Sequence, residues 1–363
     1  MIEYEKNGKY IRVDFLKDED VNSPGYLAFL NSDEFRAFKH AKPGEVLSKR
    51  HLGRMAMYRA LYEQKTVVAT IDGEIVGQSC SLKNYAIVHG KRVEWWWSVD
   101  TFLMTACRGL GIGKGLQKVL HDELPNFSSA WYTPINGIVK EKCGAHGIFD
   151  IWFNYYPVSS AITVFGDLCF RKLFKCPIPV RLNVPYLYCS VNSVFTDTKL
   201  KGYQVTEIPY ERLGEKESAF MEKALAKKDF HIERSVEFLQ WRYKNLKAGY
   251  HMLEITKEGK QEAIIAFSNI YNSGFDAAPI KGVSIYDMVI SSESKLTERR
   301  LLLYIARWYR RRGEKFDGFQ MLRRVKYLGR MCYPFHACPV LSTIEGEYKD
   351  GYLTLADQDM DQI

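Results

Sequence analysis

No stretch of this sequence approaches the roughly 18 consecutive apolar residues of a membrane-spanning helix. The first residues, MIEYEKNGKYIRVDF, are charged and lack an apolar core of signal-peptide length. The expectation is a protein that crosses no membrane and stays in the cytoplasm. The eight cysteines, at 80, 107, 143, 169, 176, 189, 332 and 338, have no metal-type spacing; Cys332 and Cys338 stand six apart with no second pair to complete a zinc site. The eight histidines show no paired spacing either. No metal is expected, and the cysteines read as reduced thiols, several of them in the core. A charge excess is also nearly missing: 51 basic against 43 acidic side chains leave a net +8, spread along the chain. That balance suits an anionic ligand, and no nucleic-acid partner is expected.

What is present is ordinary globular composition, 46% hydrophobic and 26% charged over 363 residues. It argues against extended disorder and, at about 150 residues per domain, for roughly two domains. Residues 65 to 71, KTVVATI, are β-branched and apolar; an Asp72-Gly73 turn follows, and EIVGQSCSLKNYAIV resumes the strand pattern. After a turn at His89-Gly90-Lys91, RVEWWWSVDTFLM predicts a long strand ending near Met104. Leu116, Val119, Leu120 and Leu124 lie at helical spacing with Pro125 behind them, which predicts a helix from about Gly113 to Leu124. Trp131 to Pro134 reads as a further strand. The triplet Trp95-Trp96-Trp97 reads as a central strand buried on both faces.

The same order recurs later. GYHMLEITKEGKQEAIIAFSNIY (249 to 271) reads as a hairpin, VSIYDMVIS (283 to 291) as a long strand and TERRLLLYIARWYRRRG (297 to 313) as a helix whose Arg310, Arg311 and Arg312 sit at its C-terminal end. Asp100 and Asp287 occupy matching places. Eight residues beyond Asp287 stands Lys295, where eight beyond Asp100 stands Arg108, and the second copy has no glycines after its strand. A weak internal duplication follows, with a boundary near residue 200 where FTDTKLKG turns polar.

The chemistry concentrates in CRGLGIGKGLQKVL, residues 107 to 120, where glycines at 109, 111, 113 and 115 crowd the mouth of the predicted helix. Glycine costs a helix interior about 0.5 to 1 kcal/mol relative to alanine, so these residues serve something other than helix stability. A helix N-terminus exposes unpaired N–H groups and about half a positive charge, which bind anions, and glycines let the backbone approach closely. A P-loop would need glycine at Arg108 and Ser or Thr at Gly115. The dinucleotide fingerprint would need glycine at Lys114 or Leu116. R-x-x-G-x-G fits, as Arg108, Gly111 and Gly113.

In this strand-to-helix context the motif resembles the diphosphate-binding signature [RQ]-x-x-G-x-[GA] of the GNAT superfamily of acyl-CoA N-acyltransferases. A second fragment, NGIVKEKCGAHGI at 136 to 148, is similar to the family's N-x-x-A-x-x-x-Y-x-x-x-G-F, with Asn136, Val139, Cys143, Gly147 and Ile148 in the respective places. The likeness covers about residues 65 to 150. In the second half it rests on element order and on WRY (241 to 243) before a hairpin, as in tandem members of the family.

The resemblance implies an α+β fold of two GNAT-like domains, 1–200 and 201–363, each a mixed, mostly antiparallel sheet flanked by helices. It implies acetyl-CoA or another acyl-CoA as co-substrate and no metal. The coenzyme contacts it implies are Leu103, Met104 and Thr105, pairing with the pantetheine arm like an added strand; Arg108, Gly109, Leu110, Gly111, Ile112, Gly113 and Lys114 at the diphosphate; and Asn136. Thr105 stands where the family usually has proline. An acidic residue near Asp100 often serves as the base. An unbroken strand would set Asp100 on the face of Glu94, Trp96, Ser98 and Phe102, where a poorly solvated carboxyl would have a raised pKa; a structural, hydrogen-bonded aspartate is the alternative, and a bulge would change the facing. Cys143 stands where the family often has a tyrosine that protonates the leaving thiolate; a thiol could donate that proton or be a small core residue, and Tyr132, Tyr155 and Tyr156 are nearby substitutes.

The implied activity is acyl transfer, acetyl first among the candidates, from acyl-CoA to a primary amine of a small-molecule, sugar or peptide acceptor. The second half would complete the acceptor pocket, and its missing glycines imply one coenzyme site. The alternatives are a Fem-like transferase using charged tRNA and a non-catalytic CoA-binding protein.

Overall fold

The computed structural model describes residues 1–157, 199–245, 249–273, 280–323, 333–346 and 348–357. They divide into two units: 1–150 with 338–349, and 151–337 with 350–363.

In the first unit, β1 (Ile2–Lys6), β2 (Lys9–Phe15), β3 (Gln64–Ile71), β4 (Glu74–Val88) and β5 (Lys91–Leu103) follow one another as antiparallel neighbours. The Asp72-Gly73 turn closes β3 on β4 with both residues at positive φ, 50° and 91°, the geometry that matches strand twist. Helix α4 (Ile112–Glu123) then returns the chain to β6 (Phe127–Ser129), parallel to β5 through Trp96↔Phe127 and Trp97↔Ser128. The strand on the far side of β6 is the end of β15 (Tyr333–Ser342), late in the sequence: Leu341 and Ser342 pair antiparallel with Ser129 and Ser128. Trp95 and Trp96 are 1% exposed and Trp97 8%, as expected for a strand covered on both faces.

On one face α4 packs Leu116, Val119 and Leu120 against Ile11, Val13, Trp96 and Phe127. The other face carries α1 (Pro24–Leu30), α2 (Asp33–Phe38) and α3 (Leu47–Arg59), with Tyr26, Phe29, Phe35 and Leu47 gathered around Phe102. Ser23 and Ser32 cap α1 and α2 by accepting from Tyr26 N and Phe35 N. Trp131 to Pro134 is not a strand. Thr133 caps and Pro134 opens α5 (Pro134–Lys142), since proline at the first helical position loses no bond, and the strand lies just upstream as β6. The chain then enters β7 (His146–Pro157).

The second unit repeats the plan. The strands β8 (Gln204–Glu207), β10 (Tyr250–Lys257), β11 (Lys260–Ser268) and β13 (Ile280–Ile290) are antiparallel in the order β8-β10-β11-β13. Next comes β14 (Gly318–Arg323), parallel to β13 through Val283↔Phe319. The antiparallel neighbour of β14 is the end of β7, with Phe319↔Tyr156. β12 (Tyr271–Ser273) pairs with β13, and β16 (Gly351–Tyr352) runs parallel to β9 (Phe230–Ile232). The helices are α6 (Glu215–Leu225), α7 (Val236–Lys244) and α8 (Glu298–Arg311), the last lying between β13 and β14 in sequence as α4 lies between β5 and β6. Leu301, Leu302, Ile305 and Tyr309 put its apolar side into the core. Its C-terminal end carries Arg310 and Arg311 before Gly313, as expected.

Candidate active site

Between β5 and α4 the chain alternates apolar residues and glycines, and the structure uses the two sets differently. Leu110 and Ile112 are buried in the core beneath α4, while Gly109 and Gly111 face out with φ of 82° and 90°. Tyr4 donates its hydroxyl to the Leu110 carbonyl at 3.1 Å and Lys6 its ammonium to the Gly109 carbonyl at 3.0 Å. The loop's carbonyls are therefore tied down to β1. A Cβ on Gly109 or Gly113 would meet nothing within 4 Å, and no side chain caps α4 at Gly111. The first-turn N–H groups, with Lys114 and Arg108 exposed beside them, leave an open, electropositive mouth that could hold a phosphate-type anion. Gly115 serves packing, since a Cβ there would lie 3.1 Å from Val13.

The last residues of β5 are only partly free. Met104 N donates to Val76 O at 2.9 Å and Thr105 N to the Glu34 carboxylate at 2.7 Å. Antiparallel alternation then turns the N–H and C=O of Leu103, paired with Gly77, away from β4 toward an edge that β6 covers only as far as Trp97.

A bulge interrupts β5 opposite β4, where Gln78 pairs with Phe102 but Cys80 with Val99, and Asp100 stands in it at φ 51°. The side chain thereby leaves the face of Trp96 and Ser98. It meets Lys39 of the segment after α2, Arg54 Nη2 at 3.1 Å and His51 Nδ1 at 3.8 Å, both on α3. The expectation of a raised pKa does not hold. Burial alone would raise it, but the Arg54 and Lys39 cations outweigh burial and hold the carboxyl below the usual range. His51 is itself pushed down to about 4 by burial, so it stays neutral and shares a 3.4 Å contact with the Tyr26 hydroxyl.

Cys143 closes α5 and is half-buried, its thiol donating to the Lys114 carbonyl at 3.8 Å; burial pushes its pKa up, so it stays protonated. Asn136 sits half-exposed in the first turn of α5, its N–H on Thr133 Oγ1. Tyr132 donates to the Pro339 carbonyl at 3.0 Å, and Tyr156 packs in the second unit's core, 6.2 Å from Phe319 between ring centres. The Tyr155 side chain lies outside the described residues, as do Cys169, Cys176, Cys189 and Cys332. Cys80 and Cys107 are buried free thiols.

Solved structures share this architecture. A conserved protein of unknown function from Enterococcus faecalis V583, described as a probable N-acyltransferase, superposes with a TM-score of 0.56 at 11% identity, over 92% of this chain and 72% of that one. The GCN5-related N-acetyltransferase of Anabaena variabilis gives 0.57 at 11% identity, over 91% and 72%. That of Kribbella flavida gives 0.50 at 10%, over 92% and 71%. The chain has the GNAT fold. No family model matches the sequence, and no curated protein matches it.

The second unit departs from the first at the mouth of the helix that follows its long strand. Thr297 caps α8 with its side chain, accepting from Arg300 N, so one of the amides left bare in α4 is taken. Beyond the last β13–β14 pair, Ser284↔Gln320, β16 and the residues after it lie beside β13: Thr354 Oγ1 and the Tyr352 hydroxyl bond Asp287 Oδ1 at 3.3 and 2.9 Å. Asp287 is fully buried, also bonded to Arg234 Nη2 at 3.1 Å and the Tyr243 hydroxyl at 3.0 Å. The tyrosine of WRY therefore supports this aspartate. Among the described residues, no helix is long and apolar enough to cross a membrane.

Lys39, His51 and Arg54, which surround Asp100, left no pattern in the sequence, because they come from a different segment and meet it only through the fold. Lys140 was equally hidden. In KEK it reads as one charge on a solvated helix, yet it is 1% exposed.

Proposed function

We propose that the first unit binds an acyl-coenzyme A and transfers its acyl group, acetyl first among candidates, to a primary amine. The observation that carries this reading is the contrast between two helix mouths in equivalent positions: α4 uncapped behind outward-facing glycines, α8 closed by Thr297. The amides from Gly109 to Lys114 would hold the diphosphate, with Arg108 and Lys114 adding charge, and the free edge of Leu103 would pair with the pantetheine arm. The N–H and carbonyl groups of Met104 and Thr105 already bond within the chain, Met104 O to Cys107 N and Thr105 O to Arg108 N, so Leu103 is the residue that offers both groups for that pairing. Asn136, at the start of α5, is a further contact. When bound, acyl-CoA supplies a thioester carbonyl and a thiol leaving group.

Asp100 could take the amine's proton only if the Lys39 ammonium moves off it as the acceptor enters. Its ion pairs also favour a second reading, coenzyme binding without turnover. Titration calorimetry with acetyl-CoA and thiol release with glucosamine, spermidine, lysine methyl ester and kanamycin separate the cases. One equivalent bound and an amine-dependent thiol signal support transfer. Binding without thiol release leaves the second reading, and no binding overturns both.

A further inference from the structure

Lys140 projects from α5 into the interior, and among the described residues no carboxylate pairs with its ammonium group. Its Nζ donates to Gln117 Oε1 of α4 at 2.7 Å and to Ser98 Oγ of β5 at 3.2 Å, and lies 5.2 Å from the centre of the Phe127 ring on β6. Of the titratable groups on the packed elements, which include Lys114, Lys118, Asp122 and Glu123 of α4, Glu94 and Asp100 of β5, and Glu141 and Lys142 of α5, the ones that interact electrostatically with Lys140 are His121 of α4, which burial lowers to about 4 and keeps neutral, and Cys143, which caps its own helix. A buried cation without a carboxylate is destabilising, so its position matters. Ser98 is the first residue of β5 past the last pair with β6, Trp97↔Ser128, and marks the fork where the strands part. Gln117 lies one helical turn inside the α4 mouth. From Gln117 Nε2 the network runs to Ser79 Oγ at 3.4 Å and on to Thr101 Oγ1 at 2.7 Å, beside the β5 bulge.

We propose that Lys140 is the proton donor to the departing coenzyme A thiolate, in the place the sequence leaves to Cys143. The assignment rests on the acyltransferase reading. As the carbon–sulfur bond breaks, its electron pair stays on sulfur and a proton passes from Nζ to sulfur. Lys140, left as a neutral amine, regains a proton from solvent, matching the one the acceptor amine gives up. Desolvation lowers Lys140 to about 7, which brings ammonium and thiol close enough in acidity for the proton to pass between them at neutral pH. Two rival acids are held elsewhere, Cys143 on the Lys114 carbonyl and Tyr132 on that of Pro339.

The test needs no turnover for its first part: the thiol of bound coenzyme A is titrated through its ultraviolet thiolate absorbance in wild type, Lys140→Met and Lys140→Arg. An ammonium beside sulfur lowers that titration by about one to three pH units in wild type and Lys140→Arg relative to Lys140→Met. In turnover, both variants lose about 100-fold or more in kcat with KM changed less than about threefold, since arginine keeps the charge but does not release the proton. Equal thiol titrations in wild type and Lys140→Met, or an unchanged kcat, overturn the role of Lys140 alone. A wild type that neither binds coenzyme A nor releases thiol overturns the acyltransferase reading, and this assignment with it.

Discussion

Arg54 Nη2 lies 3.1 Å from Asp100 Oδ2, and both side chains are almost out of water, at 13% and 10% exposure. The second unit repeats the relationship, with Arg234 Nη2 3.1 Å from Asp287 Oδ1 and both fully buried. In each unit a buried cation neutralises an aspartate beside a bulge in the long strand. The shared feature is structural, and it occurs in the unit that lacks the glycine loop.

Asp100→Asn removes the buried carboxylate charge that faces Lys39 and Arg54, and should cost about 3 to 5 kcal/mol in urea unfolding. The sign of its pH dependence follows from the lowered carboxyl. Stabilisation is complete above the unfolded carboxylate value of about 3.9 and is lost as pH falls through the lower folded value. The gap between wild type and variant should therefore be flat at neutral pH and narrow in acid. A gap that widens in acid would contradict the ion-pair account.

Lys140→Met should stabilise the protein at neutral pH. With Lys140 at about 7 in the folded chain, the unfolded chain binds more protons between that value and about 10.4, so wild-type stability gains a rising component across the window that the variant lacks. After the lost bonds to Gln117 and Ser98 are counted, the net gain below pH 7 should be about 1 to 3 kcal/mol. Denaturant unfolding at several pH values measures it, and a variant less stable than wild type at every pH would be the opposite result.

Thr297→Ala removes the cap of α8 and should cost about 1 kcal/mol. Calorimetry should still find one equivalent of acetyl-CoA with unchanged affinity, because the binding mouth belongs to α4. Weakened binding would place the coenzyme in the second unit.

Much of the frame was legible in the sequence because its signals are local. Asp72-Gly73 specifies a tight turn, the strand periodicity of RVEWWWSVDTFLM specifies β5, and the 3.6-residue pattern of TERRLLLYIARWYRR specifies α8. The glycine loop could be read because its need for positive φ and close approach is written in residue type. The burial of Lys140, the cations around Asp100 and the capture of the Thr105 amide by Glu34 could not, since each joins segments tens of residues apart. The bulge at Asp100 was hidden too, as it depends on the register against β4. Trp131 to Pro134 misled because its aromatic residues suit a strand, while the Thr133 cap and Pro134 specify a helix start.

The most direct test of the central claim is thermal unfolding with and without acetyl-CoA in wild type and Gly113→Val. Gly113 has ordinary helical φ and open space around its Cβ position, so the valine should leave the unliganded protein within about 1 kcal/mol of wild type while filling the cradle. At about a hundred times its dissociation constant, acetyl-CoA should add about 2.7 kcal/mol and raise the wild-type midpoint by several degrees, with no rise in the variant. A wild type that does not respond, or a variant that responds equally, contradicts the claim that the mouth of α4 holds the coenzyme.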